Sequence, residues 1–144
     1  MKKPIKIYFA GSIRGGREDR DCYHSLIHHH SKHGEVLSEH IVEESLTASG
    51  EGQENHIMIH RRDMEWLFTA DAMVAEVSTP SLGVGYEIGR TLENQKPVLC
   101  LYRLDSPKKL PAMIAGSPEP TVVSYSSMQE AYDAIDAFFN TVSY

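Results

Sequence analysis

Apolar residues in this chain fall into short, nearly unbroken runs separated by longer stretches where they recur every third or fourth position. Ile5–Ala10 is the first run, and its density marks a strand covered on both faces. Glu18–Lys32 reads as a helix, with Tyr23, Leu26 and Ile27 at helical spacing, and Gly34 stops it. Glu35–Ser38 is a short second strand. Residues 40–52 are polar, contain Gly50 and Gly52, and read as a loop with room for a helical turn. Gln53–Thr69 fits a second helix, whose apolar contacts come from Ile57, Ile59, Met64, Trp66 and Leu67. Ala72–Val77, Pro97–Tyr102 and Thr121–Tyr125 are the remaining strands, and Ser81–Asn94 is the helix between the first two of them. Ser127–Thr141 closes the chain as an amphipathic helix built on Met128, Ala131, Ile135, Phe138 and Phe139.

Alternation of this kind predicts an α/β fold: a five-stranded parallel sheet, doubly wound, of flavodoxin- or Rossmann-like type. Right-handed crossovers leave few topologies, and the order 2-1-3-4-5 is the expected one. Ligands of such sheets sit beyond the carboxyl ends of the strands, where the strand order reverses. That brings two loops to one crevice, "GSIRGGRED" after the first strand and "STPSLGVGYE" after the third.

Composition narrows the picture without changing it. Residues 1–144 read as a single domain, with 41% hydrophobic and 24% charged residues. No apolar run approaches the ~20 residues that span a bilayer, and "MKKPIKIYF" is too short in its apolar part for a signal peptide. The two cysteines, Cys22 and Cys100, are far apart and read as reduced thiols of a cytoplasmic protein, with entry into the nucleus left open. The net charge of −6, from 20 acidic and 14 basic residues, opposes a nucleic-acid polymer as partner. It leaves room for a small phosphorylated ligand, because Arg14 and Arg17 can dominate locally.

The first loop exposes backbone N–H groups beside cations, which suits a phosphate. In the second, Ser81 can cap a helix, and Gly83 and Gly85 permit close approach of backbone to ligand. Glu87 follows one and a half turns into that helix, where a lone glutamate ordinarily complements the helix dipole. The G-x-G spacing follows the third strand, which argues against a dinucleotide fingerprint. "HHHSKH" puts His29 and His33 four residues apart on a helix, a metal-ligand spacing, but with no third ligand nearby the reading is a solvated face. His60 shares a helix face with Asp63, and Glu76 is unusual in a buried strand and receives no role.

Taken together, "YFAGSIRGGRED", "HRRDMEWL", "ADAMVAEVSTPSLGVGYEIGR", "KPVLCLYR" and "AMIAG" resemble the 2′-deoxynucleoside 5′-phosphate N-hydrolase family, within the nucleoside 2-deoxyribosyltransferase-like superfamily, from about Ile5 to Gly116. The resemblance implies cleavage of the N-glycosidic bond of a deoxynucleoside monophosphate, with no metal and no organic cofactor. It makes Glu87 the nucleophile, Asp63 the second carboxyl group and Tyr8 their neighbour. It assigns Ser12, Arg14, Gly15 and Gly16 to the 5′-phosphate, completed by Ser81 and Gly83, and Ile13 to the sugar. It further implies a homodimer with shared sites, Met113 lining the neighbour's base pocket and His40 contacting the base. One departure stands out. A family serine that reaches the neighbour's phosphate is here Pro111, with Ser106 and Ser117 as nearby substitutes. A deoxyribosyl transferase and a non-catalytic nucleotide sensor are the alternatives, and the joint presence of Tyr8, Asp63 and Glu87 speaks against the sensor.

Overall fold

Every second residue of the first strand faces one side of the sheet, and in this chain both sides are apolar, so helices must cover both. A computed structural model describes residues 4–13, 16–41 and 55–142 and shows that solution. Its elements are β1 (Ile5–Gly11), α1 (Gly16–His30), β2 (Gly34–Leu37), α2 (His56–Thr69), β3 (Ala72–Glu76), α3 (Leu82–Glu93), β4 (Val98–Arg103), α4 (Ala112–Ala115), β5 (Thr121–Tyr125) and α5 (Met128–Thr141). The strands form one sheet in the order β2-β1-β3-β4-β5, every neighbouring pair parallel. The expected architecture and strand order are both found.

The period-two alternation divides the core. Ile5, Ile7 and Phe9 join Val74, Leu99 and Leu101 on one face, packed by α1 and α5 through Tyr23, Leu26, Ile135 and Phe138. Tyr8 and Ala10 join Met73, Ala75 and Cys100 on the other face, where α2 and α3 supply Met64, Leu67, Val84 and Ile88. Tyr8 therefore points toward α2 and α3. The two carboxyl groups singled out in the sequence, Asp63 and Glu87, lie on those helices.

Element boundaries differ from the sequence reading where capping or a turn decides them. α2 begins at His56, because the Asn55 side chain accepts from the N–H groups of Ile57 and Met58. The expected start at Gln53 and the loop 42–52 fall outside the described residues. α1 ends at His30, not Lys32, and residues 31–33 form a tight turn in which Lys32 N–H bonds the His29 carbonyl and His33 N–H the His30 carbonyl. His33 thus leaves the helix on which the sequence placed it. The four-residue helix α4 had no counterpart in the sequence reading.

Gly34 ends this turn and opens β2 opposite Ile5. A Cβ at this position would lie 2.3 Å from the Ile5 carbonyl oxygen, a backbone atom that the sheet holds in place. Gly34→Ala is therefore expected to lower stability by about 2–3 kcal/mol in denaturant unfolding, as overpacking against fixed backbone does. An unchanged midpoint would show that the turn can move aside.

Candidate active site

The carboxyl ends of β1 and β3 carry the two loops the sequence singled out, and a cleft of about 580 Å³ opens over them. Its floor and walls include Gly11, Ser12 and Ile13 from the first loop, Ser81 and Gly83 from the second, and Asp63 and Glu87 from the helices. The convergence expected from topology is present. Ser81 caps α3, its Oγ accepting from Val84 N–H at 3.2 Å, so the earlier amides of that turn have no partner within the helix. At the start of α1, Gly16 has φ of +82°, a conformation that glycine adopts without strain. The N-termini of α2, at His56, and of α3, at Leu82 and Gly83, both border the cleft. Arg14 and Gly15 lie outside the described residues, as does the Arg17 side chain.

Glu87, Asp63 and Tyr8 are all buried. The Tyr8 hydroxyl donates a hydrogen bond to Glu87 Oε2. Burial raises the Glu87 carboxyl from its ordinary 4.5 to about 7; the Tyr8 hydrogen bond and the Arg62 charge oppose that rise, and the Asp63 charge adds to it. Tyr8 itself is driven well above the usual phenol range by burial and by the Glu87 and Asp63 charges, so it remains a donor. From the sequence, a glutamate at this place reads as one that ordinarily complements the helix dipole, which would favour its charged form. Glu87 is beyond the first turn of α3, where the dipole has faded, and desolvation wins instead. Asp63 accepts from Arg62 Nε at 3.0 Å, and Arg62 also reaches Glu39 at 3.8 Å and lies over the Trp66 ring.

Two residues expected to meet the base, His40 in its own chain and Met113 in a neighbour's, lie outside this cleft's lining. His40 is buried beneath the first loop, its Nε2 2.9 Å from the Gly11 carbonyl and its ring 4.8 Å from that of Tyr23. It braces the loop from behind and is not part of the cleft lining. Met113, on α4, is 84% exposed and lines a second cavity of about 600 Å³ with Leu82, Tyr86 and Pro111, on the far side of the Pro80–Leu82 segment.

Other residues of the site went unassigned in the sequence. His60 and Tyr86 line the cleft as a pair, Nε2 to hydroxyl 3.0 Å, and Arg90 donates to the same hydroxyl at 2.6 Å. Glu76, the charged residue in an otherwise apolar strand, accepts from Ser78 N–H at 2.8 Å, Ser78 Oγ at 2.9 Å and the Tyr125 hydroxyl. Ser78 in turn holds Arg103 N–H and Ser106 Oγ, each at 2.8 Å. Asp19, buried in the first turn of α1, accepts from Thr79 Oγ1 and Arg103, both at 2.6 Å. This network ties α1, the β3 loop and β4 together at the cleft's edge. The oddity of Glu76 within its strand was the signal for it.

A five-stranded doubly wound domain, with a tyrosine-bonded glutamate and a second carboxyl group in a cleft bordered by two helix N-termini, defines a narrow class, and residues 7–123 match the nucleoside 2-deoxyribosyltransferase profile. The chain belongs to that family. Its relatives include a Nematostella vectensis protein provisionally named 2′-deoxynucleoside 5′-phosphate N-hydrolase 1, 54% identical over 114 residues, covering 78% of this chain and 77% of the relative. A second, the 5-hydroxymethyl-dUMP N-hydrolase of Danio rerio, is 40% identical over 141 residues, covering 96% of this chain and 99% of the relative. Among solved structures, the Clostridium botulinum CMP N-glycosidase superposes with a TM-score of 0.65 at 15% identity, covering 92% of this chain and 98% of that one. That likeness is one of fold.

Glu87 makes stability depend on pH in a definite direction. Its carboxyl binds protons more tightly folded, at about 7, than in the unfolded chain near 4.5, so its contribution is complete below 4.5 and is lost as pH rises through 7. Glu87→Gln should therefore unfold at higher denaturant than the parent at pH 8.5, by roughly 1–3 kcal/mol, with the difference shrinking toward pH 4.5. A pH-independent difference would place Glu87 in solvent.

Proposed function

We propose that this protein is a hydrolase that cleaves the N-glycosidic bond of 2′-deoxynucleoside 5′-monophosphates, releasing free base and 2-deoxyribose 5-phosphate. The observation that carries the reading is the buried Glu87 carboxyl, bonded by Tyr8 and facing the cleft beside Asp63. Nucleotide N-glycosidic cleavage is the activity that the named relatives share. Glycosidic cleavage passes through an oxocarbenium-like state at C1′, which a carboxylate below the ring stabilises and can trap.

The steps follow from that placement. A Glu87 carboxylate oxygen bonds C1′ as the bond from C1′ to the base nitrogen breaks, and the departing base takes a proton from Asp63 or water. Water then attacks C1′, giving one proton to the Asp63 carboxylate or to solvent, its oxygen stays with the sugar, and Glu87 leaves as a carboxylate. Tyr8 keeps a hydrogen bond on Glu87 throughout, which favours the ionised form that must attack. Ser12, the amides at the start of α3, and the segment Arg14–Gly16 receive the 5′-phosphate. Binding that group fixes C1′ over Glu87, so remote affinity serves the reacting geometry. Ile13 at the rim packs on the sugar, and a 2′-hydroxyl left unpaired there costs about 1–3 kcal/mol.

Met113 and Leu82 are both strongly exposed beside Pro111, and this apolar surface supports a homodimer in which α4 of one protomer approaches the other's cleft. The relative's 5-hydroxymethyl-dUMP specificity supports a pyrimidine, with the His60–Tyr86 pair on the cleft wall as the polar contact for the base.

Incubation with a panel of deoxy- and ribonucleoside monophosphates, followed by chromatography of free base, tests the reading. Deoxynucleotides should lose base; a panel left intact, or sugar passed only to an added acceptor base, would refute hydrolysis. Glu87→Ala should lower release about 1,000-fold or more while nucleotide affinity holds. The acid limb of kcat/KM should lie near pH 7, and Tyr8→Phe should move it upward by roughly one unit, because the hydrogen bond that favours the carboxylate is gone. An unmoved limb would separate Tyr8 from Glu87's ionisation.

A further inference from the structure

The turn that ends α1 does something the helical reading of "HHHSKH" did not anticipate. It carries His33 back beside His29, their ring centroids 6.1 Å apart, and α5 brings Asp136 against both. His29 Nε2 lies 2.8 Å and His33 Nε2 2.7 Å from the same carboxylate oxygen, Asp136 Oδ1. The three donor atoms all fall within 4.8 Å of one another. The third ligand missing near the histidines in sequence is supplied from a hundred residues away.

The rings are held, not merely close. His29 stacks on Tyr132 at 4.3 Å and 13°, and His33 on Phe139 at 4.9 Å and 24°. Both aromatic platforms belong to α5, the helix that also carries Asp136. The histidine side chains are 12% and 25% exposed and that of Asp136 is 48% exposed, so the donors are shielded by protein on one side and open to water on the other. That leaves a path for an ion and room for a water as fourth ligand.

We propose that His29, His33 and Asp136 form a divalent-cation site of zinc type that staples the end of α1 to α5. Two imidazoles and one carboxylate suit a borderline cation such as Zn2+ better than Mg2+ or Ca2+, which prefer oxygen ligands. With bond lengths of about 2.0–2.1 Å, a tetrahedral ion sets its ligand atoms roughly 3.3 Å apart. The 2.7 and 2.8 Å separations open by about half an ångström through movement of the half-exposed Asp136, and the two histidine nitrogens, within 4.8 Å of each other, settle to the same spacing by small ring rotations. The site stands apart from the cleft. α1 and α5 cover the sheet face opposite α2 and α3, and the 15-residue α1 runs about 20 Å from the loop after β1 to the turn that holds His33. Its role is structural, and it does not rest on the proposed reaction.

The test uses the untagged full chain. Zn2+ titrated by calorimetry should bind at about one equivalent with micromolar affinity, and Co2+ should give the intense visible absorption of a low-coordinate nitrogen–oxygen site. Zn2+ should raise the thermal midpoint by a few degrees. His33→Gln and Asp136→Asn, both near in size to the residues they replace, should each weaken binding about 100-fold and remove the midpoint shift, with circular dichroism unchanged. If either variant unfolds, the Co2+ spectrum and stoichiometry of the parent chain decide the matter alone. A parent with no saturable binding below about 1 mM, or affinity that survives both substitutions, would overturn the site and leave a hydrogen-bonded clasp.

Discussion

A carboxyl group that is buried yet must be able to ionise is the constraint around which this fold is arranged. Glu87 loses its hydration on α3 and recovers part of it from one phenol, Tyr8, which reaches it from β1, an interior strand of the sheet. Desolvation and hydrogen bonding pull in opposite directions, and their balance leaves the group near neutrality. A carboxyl at that point ionises within the ordinary range of pH yet keeps little hydration to lose. The same group in solvent would be charged across that whole range and fully hydrated, and in the proposed reaction it would have to shed that water before meeting C1′.

The arrangement works only if the phenol and the carboxyl group are held in register, and this is where the parallel sheet matters. Tyr8 is fixed by β1, with neighbours on both sides, and Glu87 by a helix packed on the same sheet face. The loops above them are pinned from behind. His40 bonds the Gly11 carbonyl, Glu76 and Ser78 lock the turn after β3, and Asp19 is tied to Thr79 and Arg103. Asp19 also shows how an acidic residue is tolerated near the proposed phosphate site, since two donors occupy its oxygens. The polar groups of this region brace the loops, and the cleft inherits their rigidity.

Much of this was legible in the sequence because the signals were local and redundant. Dense apolar runs and periodic helices specify a parallel sheet, and the switch-point rule then brings the loops of Ser12 and Ser81 together without further information. The convergence of Tyr8 and Glu87 rested on a resemblance, since a strand aromatic and a helix glutamate are each unremarkable alone. What stayed hidden depends on contacts between distant segments. Nothing local told His40 apart from a ligand contact, yet the Gly11 carbonyl claims its ring nitrogen. Nothing local placed Asp136 against His29 and His33, because α5 meets the end of α1 only through the packed core. The end of α1 itself was set by the need for Gly34 to lie against Ile5, a pairing invisible in the helix's own residues.

The balance at Glu87 can be read directly. Carbon-13 NMR of the protein labelled at glutamate side-chain carboxyls, followed from pH 3 to 10, resolves each glutamate's titration. One resonance titrating near 7, absent from the Glu87→Gln protein and shifted to higher pH in Tyr8→Phe, is the expected result. Glutamates that all titrate in the ordinary range near 4.5, with no member sensitive to Tyr8, would contradict the account at its centre.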